Sequence, residues 1–218
     1  MPFLEELSAN NDRDWFANNK HRYEDLVLNP ALDFIGAMGP HLEKLSTRFE
    51  AIPKRSGGSL MRVYRDTRFS KDKTPYKTNV GIQFRHALGK DIHAPGFYVH
   101  IEPHEVFVGV GSWRPDSPSL AKIRTRIADK PDLWRRVEGN KKFKNHYQFG
   151  GDSLKRPPRG FDREHPLIEV LKRKDFIAIR HLDEADIVEE DFFDTVVARF
   201  RDGLPLMQFL CAALEIQI

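Results

Sequence analysis

The segment from Arg62 to Lys77 concentrates positive charge. It reads RVYRDTRFSKDKTPYK, with six Lys or Arg residues against two Asp residues, a net charge of +4, whereas the whole chain carries only +3. A guanidinium group binds two oxygens of a phosphate or carboxylate at once, and an ammonium group adds a point charge. The segment, called the basic motif below, therefore predicts a binding site for an anion.

Residues in and near the basic motif are assigned separate roles. The predicted anion ligands are Arg62, Arg65, Arg68, Lys73, Lys77 and Arg85. Asp66 and Asp72 would orient these cations or act as acid or base. His100 is the best single candidate for proton transfer because histidine ordinarily titrates near neutral pH. Tyr76 and Tyr98 are expected to contact the less charged part of a substrate.

Three interpretations of the basic motif remain open. The first is a site for a phosphorylated or otherwise anionic small molecule, in an enzyme or in a binding protein. The second is a nucleic-acid binding module, with the motif and a basic loop at 140–160 following phosphates. The third is a structural ion-pair network, in which Asp66, Asp72 and the acidic segment Asp183–Asp191 neutralise the cations. Phe69 is expected to anchor the loop rather than to stack on a ligand.

Hydrophobic periodicity predicts the elements that position these residues. Residues 3 to 48 have apolar side chains spaced at three and four, which indicates helices, with Asn10 or Asn11 as an N-cap. After residue 58 the period changes to two, which indicates strands at 60–65, 79–86 and 96–113. In the strand at 60–65, Met61 and Val63 are expected to point inward.

The segment 96–113 is predicted to be a hairpin with Pro103-His104 at its tip. A two-residue tip would pair Ile101 with Val106, Val99 with Val108 and Phe97 with Val110, giving one apolar face. The polar face would carry Arg62, Tyr64, Asn79, Gln83, Arg85, Tyr98 and His100. Glycines 81, 109 and 111 leave space on that face, either for a ligand or for the protein's own Tyr and Phe rings.

The second half of the chain returns to helical spacing. Two helices are predicted at 117–139, divided at Lys130-Pro131, then a long ordered loop at 140–163, a short helix at 166–172, a strand at 175–182 and a final helical stretch from about 189. The fold class is α+β, an antiparallel sheet with helices mainly on one face and N- and C-terminal helices flanking it. One domain is expected over 1–218: helical 1–50, sheet core 58–114, helices and long loop 115–172, strand and C-terminal helices 174–218.

Composition and motifs exclude several functional classes. The chain of 218 residues, 40 % hydrophobic and 31 % charged, is typical of a soluble globular protein, and neither a secretory signal nor a membrane span is recognisable, so a cytoplasmic location is expected. Cys211 is expected to be an inert core thiol. His100, Glu102 and His104 stand at every second position, the spacing of metal ligands on one face of a strand, but Pro103 at the hairpin tip would turn His104 away. No metal and no cofactor is predicted, and no oligomeric state is indicated.

A family resemblance covers essentially the whole chain. The basic motif fits R-x-x-R-D-x-R-F-x-x-D-K-x-x-Y, and FLxxLxxNNxxxWF (3–16), YVHIEP, GxGxWRP, PPRGFD and PLMQFL fit further parts of the same pattern. On these residues the chain resembles a widespread bacterial and fungal family of uncharacterised proteins, a domain of unknown function. The resemblance implies no reaction, cofactor or partner.

Overall fold

The computed structural model describes residues 1–88 and 94–218. Its helices are α1 (Pro2–Ala9), α2 (Arg13–Asn18), α3 (Lys20–Tyr23), α4 (Asn29–Leu45), α5 (Ser117–Asp129), α6 (Pro131–Gly139), α7 (Lys141–His146), α8 (Ile168–Leu171) and α9 (Phe192–Ala213), with a π-helical turn at Glu24–Leu28 and a 3₁₀ helix at Glu184–Val188. Its strands are β1 (Phe49–Glu50), β2 (Val80–His86), β3 (Gly96–Glu102), β4 (Glu105–Ser112), β5 (Gln148–Phe149) and β6 (Phe176–Leu182).

Short polar and proline signals set the boundaries of the N-terminal helices. The carboxylate of Asp12 accepts a hydrogen bond from the Trp15 amide at 2.8 Å, so the N-cap of α2 is Asp12 and not the predicted Asn10 or Asn11. Pro30 lies in the first turn of α4, where its missing N–H costs no helical hydrogen bond. These helices bring α1 and α2 against the segment that carries the basic motif.

Within the described residues, six strands form one sheet in the order β1-β2-β3-β4-β6-β5, and every neighbouring pair is antiparallel. The predicted hairpin register is confirmed, because Ile101 pairs with Val106, Val99 with Val108 and Phe97 with Val110. The tip residue His104 has a positive φ of 69°, which closes the turn between β3 and β4. Register fixes which side chains share a face, so the two faces can be treated separately.

One face of the sheet forms the main core. It carries Ile82, Phe84, Phe97, Val99, Val106, Val108, Val110, Phe176 and Ala178, none more than 2 % exposed. Helix α9 packs over this face, with the rings of Phe97 and Phe200 4.8 Å apart between centroids. Gly203 permits the close approach of helix and sheet, since a Cβ there would lie 2.7 Å from Val110. Helix α4 packs beside α9 in the same core, which confirms the α+β class with helices gathered on one face.

Two local predictions are wrong. The segment 60–65 forms only isolated bridges, Leu60 with Ile82 and Tyr64 with Tyr76. Val63 is buried as predicted, but the second buried apolar residue is Leu60, and Met61 is only partly buried. The segment 140–163 is not a continuous loop, because it contains α7 and β5. The predicted final helical stretch is confirmed, since it begins at Phe192, three residues after the predicted start, and continues through Pro205 to Ala213. In the described ranges, no helix is long and apolar enough to cross a membrane.

Candidate functional site

The basic motif folds back on itself at the edge of the sheet. Its start lies along β2, where the Met61 amide donates to the Gly81 carbonyl at 2.9 Å. The two arms of the motif are then joined by the Lys77 amide, which donates to the Val63 carbonyl at 2.7 Å, and by the Arg65 amide, which donates to the Pro75 carbonyl at 2.9 Å. We call residues 62–77 in this arrangement the motif hairpin.

Tyr76 fixes the motif hairpin to the N-terminal helices. Its ring stacks on Phe16 with centroids 4.0 Å apart and an interplanar angle of 17°, and Tyr76 is only 6 % exposed. The Asn11 side chain bonds both backbone groups of Tyr76, accepting from its amide and donating to its carbonyl at 3.0 Å each. Phe3, Leu4, Leu7, Phe16, Val63 and Tyr76 form a second small core. The Tyr76 ring is thus mainly a packing element, whereas the sequence suggests a substrate contact.

Two arginines of the motif hairpin pair with its own aspartates. Arg68 binds Asp66 through two parallel hydrogen bonds of 2.9 and 2.7 Å, and Arg65 binds Asp72 at 2.5 Å. These bonds favour the charged carboxylates. The side-chain and backbone hydrogen bonds from Arg68 lower the pKa of Asp66 to about 2, and hydrogen bonds from Thr74 and Arg65 lower the pKa of Asp72 to about 2. Arg68, Asp66 and Asp72 are exposed, and Arg65 is partly buried.

The tip of the motif hairpin presents an aromatic ring to solvent. Phe69 is 95 % exposed, so the expectation that it anchors the loop is wrong. The Arg68 guanidinium lies 5.8 Å from the centroid of the Phe69 ring, and the Lys73 ammonium donates to the Thr67 carbonyl at 2.8 Å. The tip is held by its own polar contacts and leaves the ring uncovered.

A polar cleft of about 340 Å³ lies between the base of the motif hairpin and the N-terminal helices. Its walls are Ser8, Asn11, Arg65, Asp72, Thr74, Tyr76, Lys77, Thr78 and Asn79. Lys77 is half-buried here, and among the residues that the structure describes no carboxylate lies within ion-pair distance of its ammonium group. Burial, with a smaller contribution from the nearby charge of Arg62, lowers the pKa of Lys77.

The face of the sheet away from the main core carries His100. Its Nδ1 lies 3.0 Å from the Tyr98 hydroxyl, and its Nε2 lies 3.2 Å from Oε2 of Glu102. The Thr78 hydroxyl donates to the other oxygen of Glu102 at 2.5 Å. The Phe107 ring stacks on the imidazole with centroids 4.6 Å apart. These contacts hold His100 in one orientation.

The glycines on this face accommodate Tyr98. A Cβ on Gly81 would lie 2.8 Å from the Tyr98 hydroxyl, and a Cβ on Gly109 would lie 3.7 Å from that of Tyr98. Burial raises the pKa of Tyr98 to about 12. Of the two uses considered for this space, the protein's own ring therefore occupies it beside Gly81 and Gly109.

The structure brings together only part of the predicted site. The cleft is lined by four of the predicted residues, Arg65, Asp72, Tyr76 and Lys77. His100 lies next to the cleft, because its Nδ1 is 3.5 Å from the wall residue Asn79, and Tyr98 lies beside His100, with its hydroxyl 3.0 Å from the same nitrogen. The remaining predicted residues, Arg62, Asp66, Arg68, Lys73 and Arg85, are not among the walls of this cleft. Arg62 and Tyr64 lie in the motif hairpin and not on the sheet face. Arg85 lies on that face and donates to Gln83 at 3.0 Å.

Comparison with protein families matches almost the whole chain. Residues 1–209 fit the family described as conserved hypothetical protein (DUF2461). The chain belongs to this family. No curated protein and no solved structure matches it. DUF2461 membership confirms the resemblance to a family of uncharacterised proteins and supplies no reaction, cofactor or partner.

Two expectations about the surroundings of the motif do not hold in this DUF2461 chain. Within the described ranges no ion pair joins the acidic segment Asp183–Asp191 to the motif; its Glu184 instead lies 3.6 Å from His104. The second basic segment, 140–160, surrounds β5 at the far edge of the sheet from β2. Four strand spacings of ~4.8 Å separate β2 from β5, about 19 Å in all, and residues 150–154 bond to residues 172–177 at the start of β6, so this part of the segment lies away from the motif.

Sequence reasoning missed several residues of the DUF2461 cleft. Ser8 and Asn11 come from the N-terminal helical region, more than 50 positions before the motif, and Thr74 and Thr78 were not singled out. The pair Asn10-Asn11 is a recognisable signal in the sequence, but its usual meaning next to a helix is an N-cap. An asparagine can also bond an extended backbone through both atoms of its amide, which is the role of Asn11 here.

Proposed function

We propose that the cleft binds a phosphate-bearing or otherwise anionic small molecule, with Lys77 as the central cation. The observation that carries this proposal is the half-buried Lys77 ammonium, which has no carboxylate partner in the described part of the chain. A cation removed from water without a partner is unfavourable unless it loses its proton or gains an anion. The lowered pKa of Lys77 has the same physical cause.

The other walls of the cleft suit an oxyanion. Ser8 offers a hydroxyl group and Asn79 an amide, and both can donate hydrogen bonds, whereas the hydroxyl protons of Thr74 and Thr78 are directed at Asp72 and Glu102. The Arg65 guanidinium is oriented by Asp72 at the wall, and its remaining N–H groups are candidates for a second contact. Counting Arg65, Lys77 and Asp72, the walls carry one net positive charge.

The proposal narrows the anion ligands to the base of the motif hairpin. Lys77 and Arg65 would contact the anion, and Arg62 would add positive potential, since its charge already acts on Lys77. Arg68 is neutralised by Asp66 at the exposed tip and would support the loop instead. In this proposal the ion pair of Arg68 with Asp66 has a structural role, and Lys77 and Arg65 have the role of binding the anion.

A charge-removing variant at Lys77 tests the proposal. Lys77→Met keeps most of the aliphatic stem and removes the charge, and Lys71→Met is a matched control on the exposed tip. Hydrogen bonds to charged groups contribute about 1.5–3 kcal/mol, so Lys77→Met should weaken binding of inorganic phosphate or pyrophosphate roughly tenfold to a hundredfold. Isothermal titration at constant ionic strength, with chloride as the reference anion, measures this.

The opposite pattern would defeat the proposal. If Lys77→Met and the wild type bind these anions equally, or if Lys71→Met loses as much affinity as Lys77→Met, the cleft is not the site. Circular dichroism of each variant shows whether a loss of binding reflects a loss of fold.

The exposed Phe69 ring favours a second candidate function, binding of single-stranded nucleic acid. An aromatic ring that is 95 % exposed and flanked by Arg68 offers a platform on which a base can stack. Lys71 and Lys73 at the same tip would contact phosphates. In this candidate the tip of the motif hairpin, and not the cleft, carries the binding energy.

Salt dependence and one variant separate the two candidates. Oligonucleotide binding at the tip should weaken with log[salt] at a slope of about −0.7 for each phosphate neutralised. Phe69→Ala should weaken it by about 1–3 kcal/mol, the contribution of one stacked base, and should leave phosphate binding in the cleft unchanged. An oligonucleotide affinity that is indifferent to Phe69→Ala would remove this candidate.

A further inference from the structure

Three metal-ligating side chains meet where the β3–β4 hairpin closes. Glu102 and Glu105 are directly paired across the hairpin, and His100 precedes Glu102 by two positions on the same face. One donor atom from each of the three residues lies within 4.8 Å of the other two. His104, which the sequence pattern placed in this group, points elsewhere, with 87 % of its side chain exposed and Glu184 as its neighbour.

The separation of the donor atoms suits a metal ion. Bonds of about 2.0–2.2 Å to nitrogen and oxygen place neighbouring ligand atoms roughly 3.0–3.5 Å apart in octahedral or tetrahedral geometry. His100 Nε2 and Glu102 Oε2 are already 3.2 Å apart. Glu105 is exposed, so a change of its side-chain torsions can bring its carboxylate to the same point.

The surroundings orient the imidazole for coordination through Nε2. The Tyr98 hydroxyl lies 3.0 Å from Nδ1, where it can accept a hydrogen bond from that nitrogen and leave the Nε2 lone pair free. Stacking on Phe107 fixes the plane of the ring. The Thr78 hydroxyl holds one oxygen of Glu102, which leaves the other oxygen facing His100. Metal sites commonly have such outer partners.

Charge supports a bound cation at the same place. Glu102 and Glu105 are like charges directly opposite each other on antiparallel strands, an unfavourable arrangement in isolation. Over residues 1–88 and 94–218, no Lys or Arg forms an ion pair with either of them. A divalent cation between the carboxylates would neutralise both.

We propose that His100, Glu102 and Glu105 bind a divalent first-row transition-metal ion, such as Zn²⁺ or Mn²⁺. One imidazole and two carboxylates form a mixed nitrogen and oxygen donor set that suits these ions better than thiolate-preferring ones. Three protein ligands leave coordination positions for water or for a ligand oxygen. Thr78 borders both sites, but the proposed metal ligands include neither Lys77 nor the motif arginines, so metal binding can be tested apart from anion binding in the cleft.

Metal titration of the full chain without an affinity tag tests this site. The protein is treated with a chelator, dialysed into phosphate-free buffer and titrated with Zn²⁺ in a calorimeter and with Co²⁺ under visible absorption. One equivalent should bind, and Co²⁺ should develop ligand-field bands. Glu105→Gln should weaken binding at least tenfold, whereas Glu50→Gln, an exposed glutamate on β1, should bind as the wild type does. Thr78→Val should weaken it by about 10- to 100-fold through Glu102.

Three results of these titrations would overturn the proposal, and a fourth comes from a His100 variant. They are the absence of saturable binding of either ion, equal affinities of Glu105→Gln and Glu50→Gln, and binding of Mg²⁺ or Ca²⁺ in preference to the transition ions, which would exclude the imidazole as a ligand. Lys77→Met should bind the metal normally, so failure of the metal site and failure of the anion cleft are distinguishable. Co²⁺ bands that persist in His100→Ala would equally refute coordination by the imidazole.

Discussion

Replacement of Asn11 by alanine probes how the motif hairpin is attached to the rest of the protein. The Asn11 amide bonds both backbone groups of Tyr76 at 3.0 Å and so takes the place of a neighbouring strand. Tyr76 itself is 6 % exposed and stacked on Phe16. Truncation to alanine leaves one N–H and one C=O without these partners in a largely buried position.

The magnitude of the effect can be estimated from the two lost bonds. A hydrogen bond contributes about 0.5–1.5 kcal/mol net, and an unsatisfied buried group costs about 1–3 kcal/mol. Asn11 borders the cleft, where water can reach part of the gap, so the lower values apply and the sum is about 2 kcal/mol. For a chain of this length that loss should lower Tm by about 4–8 °C.

Urea denaturation followed by fluorescence measures the change, with the neighbouring asparagine as the control. Asn10 is exposed, and its side chain donates only to the Glu6 carbonyl of its own helix, so Asn10→Ala should change the free energy of unfolding by about 0.5 kcal/mol or less. Asn11→Asp keeps the acceptor and loses the donor, and should lie between the two. If Asn11→Ala is no more destabilising than Asn10→Ala, the amide does not secure the hairpin.

Two further predictions concern the aspartates of the hairpin and the cysteine. Hydrogen bonding lowers the pKa values of Asp66 and Asp72 from 3.8 to about 2, so these carboxylates stabilise the folded hairpin above pH 3.8. This contribution to stability is lost as the pH falls from 3.8 towards 2. Carboxyl NMR titration should give midpoints near 2, and midpoints near 3.8 would show that the ion pairs do not form in solution. Cys211 is 1 % exposed and burial raises its pKa to about 12, so a disulfide reagent should modify the thiol only when the protein unfolds. If the chain is one domain, the urea midpoint of thiol modification should equal the urea midpoint measured by fluorescence. Modification of the native protein would contradict the burial of Cys211.

The sheet was largely predictable because its pattern is long and regular. The β3–β4 hairpin alternates over two full strands around Pro103, and only one register puts all its valines on one face. The segment 60–65 is too short for this constraint. The bridge from Leu60 to Ile82 joins it to the sheet, the bridge from Tyr64 to Tyr76 lies within the motif hairpin, and Val63 is buried in the second small core with residues of α1 and α2.

The candidate site was less predictable because charge type does not specify pairing. The motif sequence indicates cations and two acids, but Arg65 selects Asp72, seven residues away, while Arg68 selects Asp66. Lys77 differs from Lys71 and Lys73 only through burial at the base of the hairpin, which packing against the N-terminal helices determines. The alternation shows His100 and Glu102, and the predicted two-residue tip already pairs Glu102 with Glu105, but the distances between the three donor atoms depend on side-chain positions that the pattern does not give.

Burial, rather than the number of cations, decides which charge of the motif can hold an anion. Two unit charges 4 Å apart attract by about 1 kcal/mol in water and by about 4 kcal/mol near a protein surface. Lys71 and Lys73 are exposed at the tip, so salt and water screen them, and Arg65 and Arg68 already have carboxylate partners. Lys77 alone among these combines partial burial with the lack of a described carboxylate partner. One half-buried ammonium at the base should therefore contribute more to anion affinity than either lysine at the tip, although all three contribute equally to the net charge of the sequence.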